Sequence, residues 1–210
     1  MKNKYKIYPL IIFVYLSISS ILIANDFTFE TSNIKITDNG NIIDATNGEV
    51  NSSDGKIKII AEKFNYNKSK SILNASSNAT AILLPQNIEI KADNINYNQN
   101  TSTFAATGNV NVKDLTKNIL IKSQNIYLDN KNQVMESNTK TIIEDNFGNS
   151  FLTSSFFFNQ KDNLIKISDS KLTDFEKNIY HLSNGFIDLS SGKIAGKDIS
   201  INFNNKFFSD

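Results

Sequence analysis

The sequence contains no cysteine, tryptophan or arginine, only two prolines, and one histidine, His181, in 210 residues. Without cysteine there is no disulfide, thiolate nucleophile, cysteine-based metal site or lipid-modified cysteine. A lone histidine lacks a second ligand or a nucleophile to serve, and its expected role is structural. All 22 basic residues are lysines against 21 acids, for a formal charge of +1, so no basic field holds nucleic acid. Gly-rich phosphate loops are absent, and nothing marks a carboxylate pair for glycoside hydrolysis. The chain is therefore expected not to be an enzyme and to use no cofactor or metal. What abounds is asparagine, 32 residues, and isoleucine, 30. AT-rich coding accounts for that bias in bulk.

Lys2, Lys4 and Lys6 precede an uncharged run from Ile7 to Ala24. A positive stretch followed by an apolar one is the layout of a secretory signal. At about 18 residues the run also approaches the length of a retained anchor helix, although Pro9, Ser17, Ser19 and Ser20 weaken that reading. Residues 1–24 are thus expected to be a signal peptide or N-terminal anchor, with 25–210 as the exported domain. Cleavage after Ala24 removes three lysines and no acids, leaving 19 lysines against 21 acids and a net charge of −2.

Internal repetition is the strongest signal. Around Ala61, the apolar residues Ile57 and Ile59 stand four and two positions before, and Phe64 and Tyr66 three and five after. A step of 31 to Ala92 finds Ile88, Ile90, Ile95 and Tyr97; another 31 to Ser123 finds Ile119, Ile121, Ile126 and Leu128. Stepping back 30 to Thr31 finds Phe27, Phe29, Ile34 and Ile36. Later copies degrade. At Ser154 only Leu152 and Phe157 match, with Phe156 and Phe158 beside them; at Ser183, Ile179 and Phe186 match while His181 and Asp188 fill apolar slots. A partial copy at Gly196 regains Ile194, Ile199 and Ile201.

Alternation with period two is a half-buried strand. The five-residue step between the −2 and +3 slots changes its phase, which predicts a bulge or bend at the small landmark residue. Asn39-Gly40, Asn47-Gly48, Asp54-Gly55, Asn184-Gly185 and Ser191-Gly192 read as turns, as do clusters such as Asn67-Lys68-Ser69 and Asn98-Gln99-Asn100. No helical apolar stripe runs through residues 25–210. The expected class is all-β.

At Ala92-Asp93-Asn94-Ile95-Asn96-Tyr97, followed by Phe104-Ala105-Ala106-Thr107-Gly108-Asn109-Val110, the chain resembles the OstA-like family of lipopolysaccharide transport proteins. That family includes LptA and the N-terminal periplasmic domain of LptD. Ala61 to Tyr66 repeats the first half of the motif, Ala45 with Gly48-Glu49-Val50 weakly repeats the second, and Gly192 to Ile199 looks like the end of the LptD N-terminal region. The resemblance, over residues 26–205, implies a β-jelly roll of repeated antiparallel strand pairs. Its two splayed sheets would enclose an apolar groove for acyl chains. It further implies a periplasmic, outer-membrane-associated module that binds lipopolysaccharide. Such a module pairs head to tail with other Lpt-type jelly-roll proteins through edge strands near Phe27–Ile36 and Ile194–Phe203. A retained anchor would instead suggest the LptC relative, and an exported structural or adhesive repeat protein is the alternative outside the family.

Exposing an acyl chain to water costs about 0.8 kcal/mol per methylene, on the order of 10 kcal/mol for a dozen carbons. A shielded slot removes that cost. The expected lining is Ile57, Ile59, Phe64, Tyr66, Ile88, Ile90, Ile95, Tyr97, Phe104, Val110, Ile119, Ile121, Ile126 and Leu128. Read from the residues alone, the same side chains serve equally as a packed sandwich core. Glu62 and Asp93 are expected to be solvated, and Phe156-Phe157-Phe158 to be a core strand rather than a membrane-facing patch.

Overall fold

A computed structural model of the chain describes residues 20–24 and 27–203. Residues 1–19, which hold most of the expected signal or anchor segment, residues 25–26 and residues 204–210 lie outside the described residues. The strands are β1 (Ser20–Ala24), β2 (Phe27–Thr37), β3 (Ile42–Ser52), β4 (Ile57–Asn67), β5 (Ile72–Leu83), β6 (Ile88–Asn98), β7 (Thr103–Asp114) and β8 (Ile119–Asp129). They continue as β9 (Val134–Ser137), β10 (Thr141–Glu144), β11 (Ser150–Thr153), β12 (Ser155–Asn159), β13 (Leu164–Thr173), β14 (Ile179–Asp188), β15 (Lys193–Lys197) and β16 (Ser200–Asn202). All pairings are antiparallel, and β1 to β8 pair in chain order. The chain is an all-β jelly roll.

Each long strand is bent once. The ladder skips between Ile60 and Lys63, Ser76 and Ala79, Lys91 and Asn94, and Thr107 and Val110. In β4 the inward residues are Ile57, Ile59 and Ala61, then Phe64 and Tyr66, so the phase changes just after the small landmark. Thr31, Ala61, Ala92 and Ser123 are all buried at this corner, where a larger side chain would hold the two halves apart. The bends stack, folding one ladder into two facing sheets. Sheet I holds 27–31, 57–60, 88–91 and 119–122; sheet II holds 33–37, 63–67, 94–98 and 125–129. Phe27 of sheet I meets Tyr66 of sheet II edge to face at 5.0 Å, which shows the two inner faces in contact.

Two of the expected turns are corrected here. Asn47-Gly48 and Asn184-Gly185 are not turns but lie inside β3 and β14. Gly48 sits at the corner, where an added Cβ would fall 2.1 Å from the backbone oxygen of Glu30. Glu62 and Asp93 are exposed, but they also tie the corner: each accepts a hydrogen bond from the side-chain amide of Asn78 (2.7 Å) or Asn109 (3.0 Å).

After β8 the corner breaks outright. β8 pairs with both β9 and β10, and β13 with both β11 and β12. The buried hydroxyl of Ser123 lies 3.0 Å from those of Ser137 and Thr141, and the Ser170 hydroxyl 2.9 Å from Thr153, so polar landmarks are partnered where alanine stood before. The period also shortens. Buried Thr153, not Ser154, is the landmark of its copy, with Phe151, Phe156 and Phe158 inward. In β14 the inward residues are Leu182, Gly185 and Ile187. Placing the landmark at Ser154 instead of Thr153 shifted that copy and the next by one residue and so misplaced Leu152, Phe157 and Phe186, which face outward.

Candidate functional site

The fourteen side chains expected to line a groove all point between the sheets and are buried, Ile119 the least so at 7% exposure. Over β2 to β8 the space between the sheets is filled. Tyr97 stacks on Phe104 at 4.4 Å, and Phe27 spans from sheet I to both Tyr66 and Tyr97. The two rims of turns are also tied across the mouth. Gln86 donates its amide to the Asn130 side-chain oxygen at 2.7 Å, and the Lys117 ammonium sits 4.9 Å from the centre of the Phe158 ring. This region is core.

Farther along the ladder the sheets part around a cavity of about 750 Å³. Its walls include Ile119, Ile143, Phe151 and Leu172 on sheet I and Ile165 and Ile187 on sheet II. One cause of the opening is legible. Asn149 stands at the slot held by Ile57, Ile88 and Ile119 in earlier copies, and its amide is committed to Asp145 at 2.7 Å. A branched apolar filler is thereby replaced by a polar group turned to the rim. Of the fourteen expected residues, only Ile119 borders this cavity.

The mouth carries Lys117, Asp145, Asp174 and Asp188. The acids build their own turns. Asp145 accepts from the backbone of Phe147 and Asn149, and Asp188 from the Ser190 backbone and, at 2.6 Å, the Ser191 hydroxyl. The Ser191 hydrogen bond, first among several, holds the Asp188 carboxyl below the ordinary carboxylate value. At Asp174 desolvation pushes the other way, but hydrogen bonds from Asn178 and Tyr180 prevail and keep it low. The site thus offers an apolar chamber with a charged lip. His181 lies exposed on sheet I, outside this chamber. The apolar residues that sequence reasoning missed sit in the later copies; a step of 30 from Ser123 to the buried Thr153 would have set Phe151, Phe156 and Phe158 inward.

Among the described residues the far end is open. Ile194, Ile199 and Ile201 border the cavity and are 40%, 47% and 48% exposed. At the opposite end, Ser20–Ala24 pairs with the first half of β2; among the described residues nothing pairs with the outer edge of its second half, and Ile36 is 50% exposed despite its apolar slot. No helix among the described residues is long and apolar enough to cross a membrane.

No family model and no curated protein matches the chain. Among solved structures it is similar to the crystal structure of LptH, described as the LptA-homologous periplasmic component of the conserved lipopolysaccharide transport device from Pseudomonas aeruginosa. The two are 14% identical with a TM-score of 0.51, over 57% of this chain and 96% of that one. At that identity the likeness is one of fold.

Proposed function

We propose that this chain is a non-catalytic periplasmic module that binds lipopolysaccharide and shields its acyl chains on the way to the outer membrane. The observation that carries this reading is the apolar chamber between the sheets, open at one end of a jelly roll like that of LptH. Tails would enter beside Ile119, Leu172 and Ile187, and the charged lip would stay with the headgroup. The thirteen other expected positions extend the same interior and would meet lipid only if the sheets parted. Exposed apolar residues on β15 and β16 suit edge pairing with another jelly-roll protein, as does the edge of β2 that has no partner among the described residues at the other end.

The test is photo-crosslinking in cells, with the reactive residue at Ile187 or Ile119, at Ile90 in the closed section, and at outward Glu89. Adducts with lipopolysaccharide are expected at the first two positions. Adducts at Glu89 alone would overturn the reading. Filling the chamber with Leu172→Trp should cut lipid copurifying without detergent at least tenfold.

A further inference from the structure

A second surface lies on the outside of sheet II. Strand register places one outward residue from each strand in a single row. Its first part is polar: Asp44, Asn65, Asn74 and Asn96 follow one another, with amide hydrogen bonds from Asn65 to Asp44 (2.8 Å) and from Asn96 to Asn74 (2.6 Å). Beyond Ala105 the row changes character and reads Tyr127, Glu136, Phe157, Lys166, Phe186 and Ala195. Rings therefore alternate with charged groups of opposite sign. Tyr127 and Phe186 are 40% and 46% exposed. A shallow cleft of about 510 Å³ runs over Ala105, Tyr127, Phe157 and Lys166.

Outward aromatics on a solvated sheet face are normally scattered. Here they recur every second strand, which sets successive rings about 9.5 Å apart. The Lys166 ammonium lies 5.6 Å from the Phe157 ring and 6.0 Å from the Phe186 ring, so it bridges the two. Glu136 makes no ion pair or side-chain hydrogen bond among the described residues, which leaves its carboxylate free to accept.

We propose that this row is a binding site for an extended oligosaccharide. A pyranose ring has an apolar C–H face and a rim of hydroxyls. The positively polarised C–H bonds suit the negative face of an aromatic ring, while Glu136 accepts from, and Lys166 donates to, hydroxyls between the rings. The alternation argues for this occupant over others. A protein partner would be met by a continuous apolar centre with charge depleted, and a membrane surface would be disfavoured by the exposed Glu136. The flanking alanines, Ala105 and Ala195, leave room for the chain to continue past the last ring at each end. The site stands apart from the lipid chamber and does not depend on it.

Saturation-transfer NMR and titration calorimetry on the full chain test the assignment, with chitohexaose, cellohexaose and delipidated lipopolysaccharide polysaccharide as probes. At least one probe is expected to bind, with saturation strongest on ring C–H protons. Tyr127→Ser and Phe186→Ser should each weaken it at least tenfold, and Glu136→Gln at least threefold, while the melting temperature and lipid copurification stay unchanged. Absence of transfer with all three probes would overturn the proposal. So would binding that survives Tyr127→Ser, Phe186→Ser and Glu136→Gln. A wild-type dimer that Phe186→Ser converts to monomer would overturn it too, by giving the face to a second copy.

Discussion

Asparagine earns its frequency at particular backbone angles. Asn47, Asn78 and Asn109 have φ of 51°, 58° and 47° and stand 31 residues apart, each at the corner of an odd-numbered strand. Asn87 and Asn118 repeat the left-handed conformation in turns, at 59° and 53°. That region costs most L residues about 1–2 kcal/mol, and asparagine tolerates it best after glycine. Asn109→Ala should therefore destabilise the protein by about 1–2 kcal/mol in urea unfolding, since it also strands the Asp93 partner, whereas Asn109→Gly should cost less. Gly48→Ala should be worse, at about 3 kcal/mol, because its Cβ would collide with the rigid backbone of Glu30. AT-rich coding explains how many asparagines the chain carries; backbone geometry explains where they sit.

At the scale of strands and turns, both rims are stitched by backbone hydrogen bonds between successive turns. On one rim Lys68 N–H bonds Asn41, Gln99 bonds Ser71, and Asn130 bonds Ser102; on the other, Leu84 bonds Lys56 and Leu115 bonds Asn87. Carboxylates are tied along the strands and at their ends. Lys58 and then Asn51 hold Glu49 below its ordinary 4.5, Ser52 holds Asp54 below 3.8, and Asn132 does the same for Asp129. A depressed native value adds stability above the unfolded value that is lost as pH falls through the native one. The melting temperature should therefore hold from neutrality to about pH 4.5 and drop below it, and Asp129→Asn should flatten that drop. The strands themselves were legible wherever the period stayed at 31: β4, β6 and β8 obey the template slot for slot. They ceased to be legible where the step shortened, because a slip of one residue in a strand exchanges its two faces. Phe157 and Phe186 were read inward for that reason. The chamber was illegible in part because Asn149 at its rim turns to Asp145, a choice of partner that spacing does not encode.

Across the whole molecule, closure is uneven. From β2 to β8 the interior is filled by rings and branched chains, while every residue of β15 and β16 is exposed. Amide exchange should follow this gradient, with β4 to β8 protected longest and β15 and β16 exchanging first. Phe104→Ala, at the centre of the filled section, should cost about 3–5 kcal/mol and shorten protection throughout β4 to β8. Leu172→Ala at the chamber wall should cost less, because a neighbouring space already exists.

The turn-to-turn stitching has an evolutionary corollary. Because each pair of strands hands the next an identical rim, an in-frame duplication of residues 57–87 would splice in a hairpin that already fits its neighbours on both sides. Such a molecule would grow by about 9.5 Å per duplication, with its chamber and outer aromatic row intact. Lineages built this way would differ in length by whole hairpins.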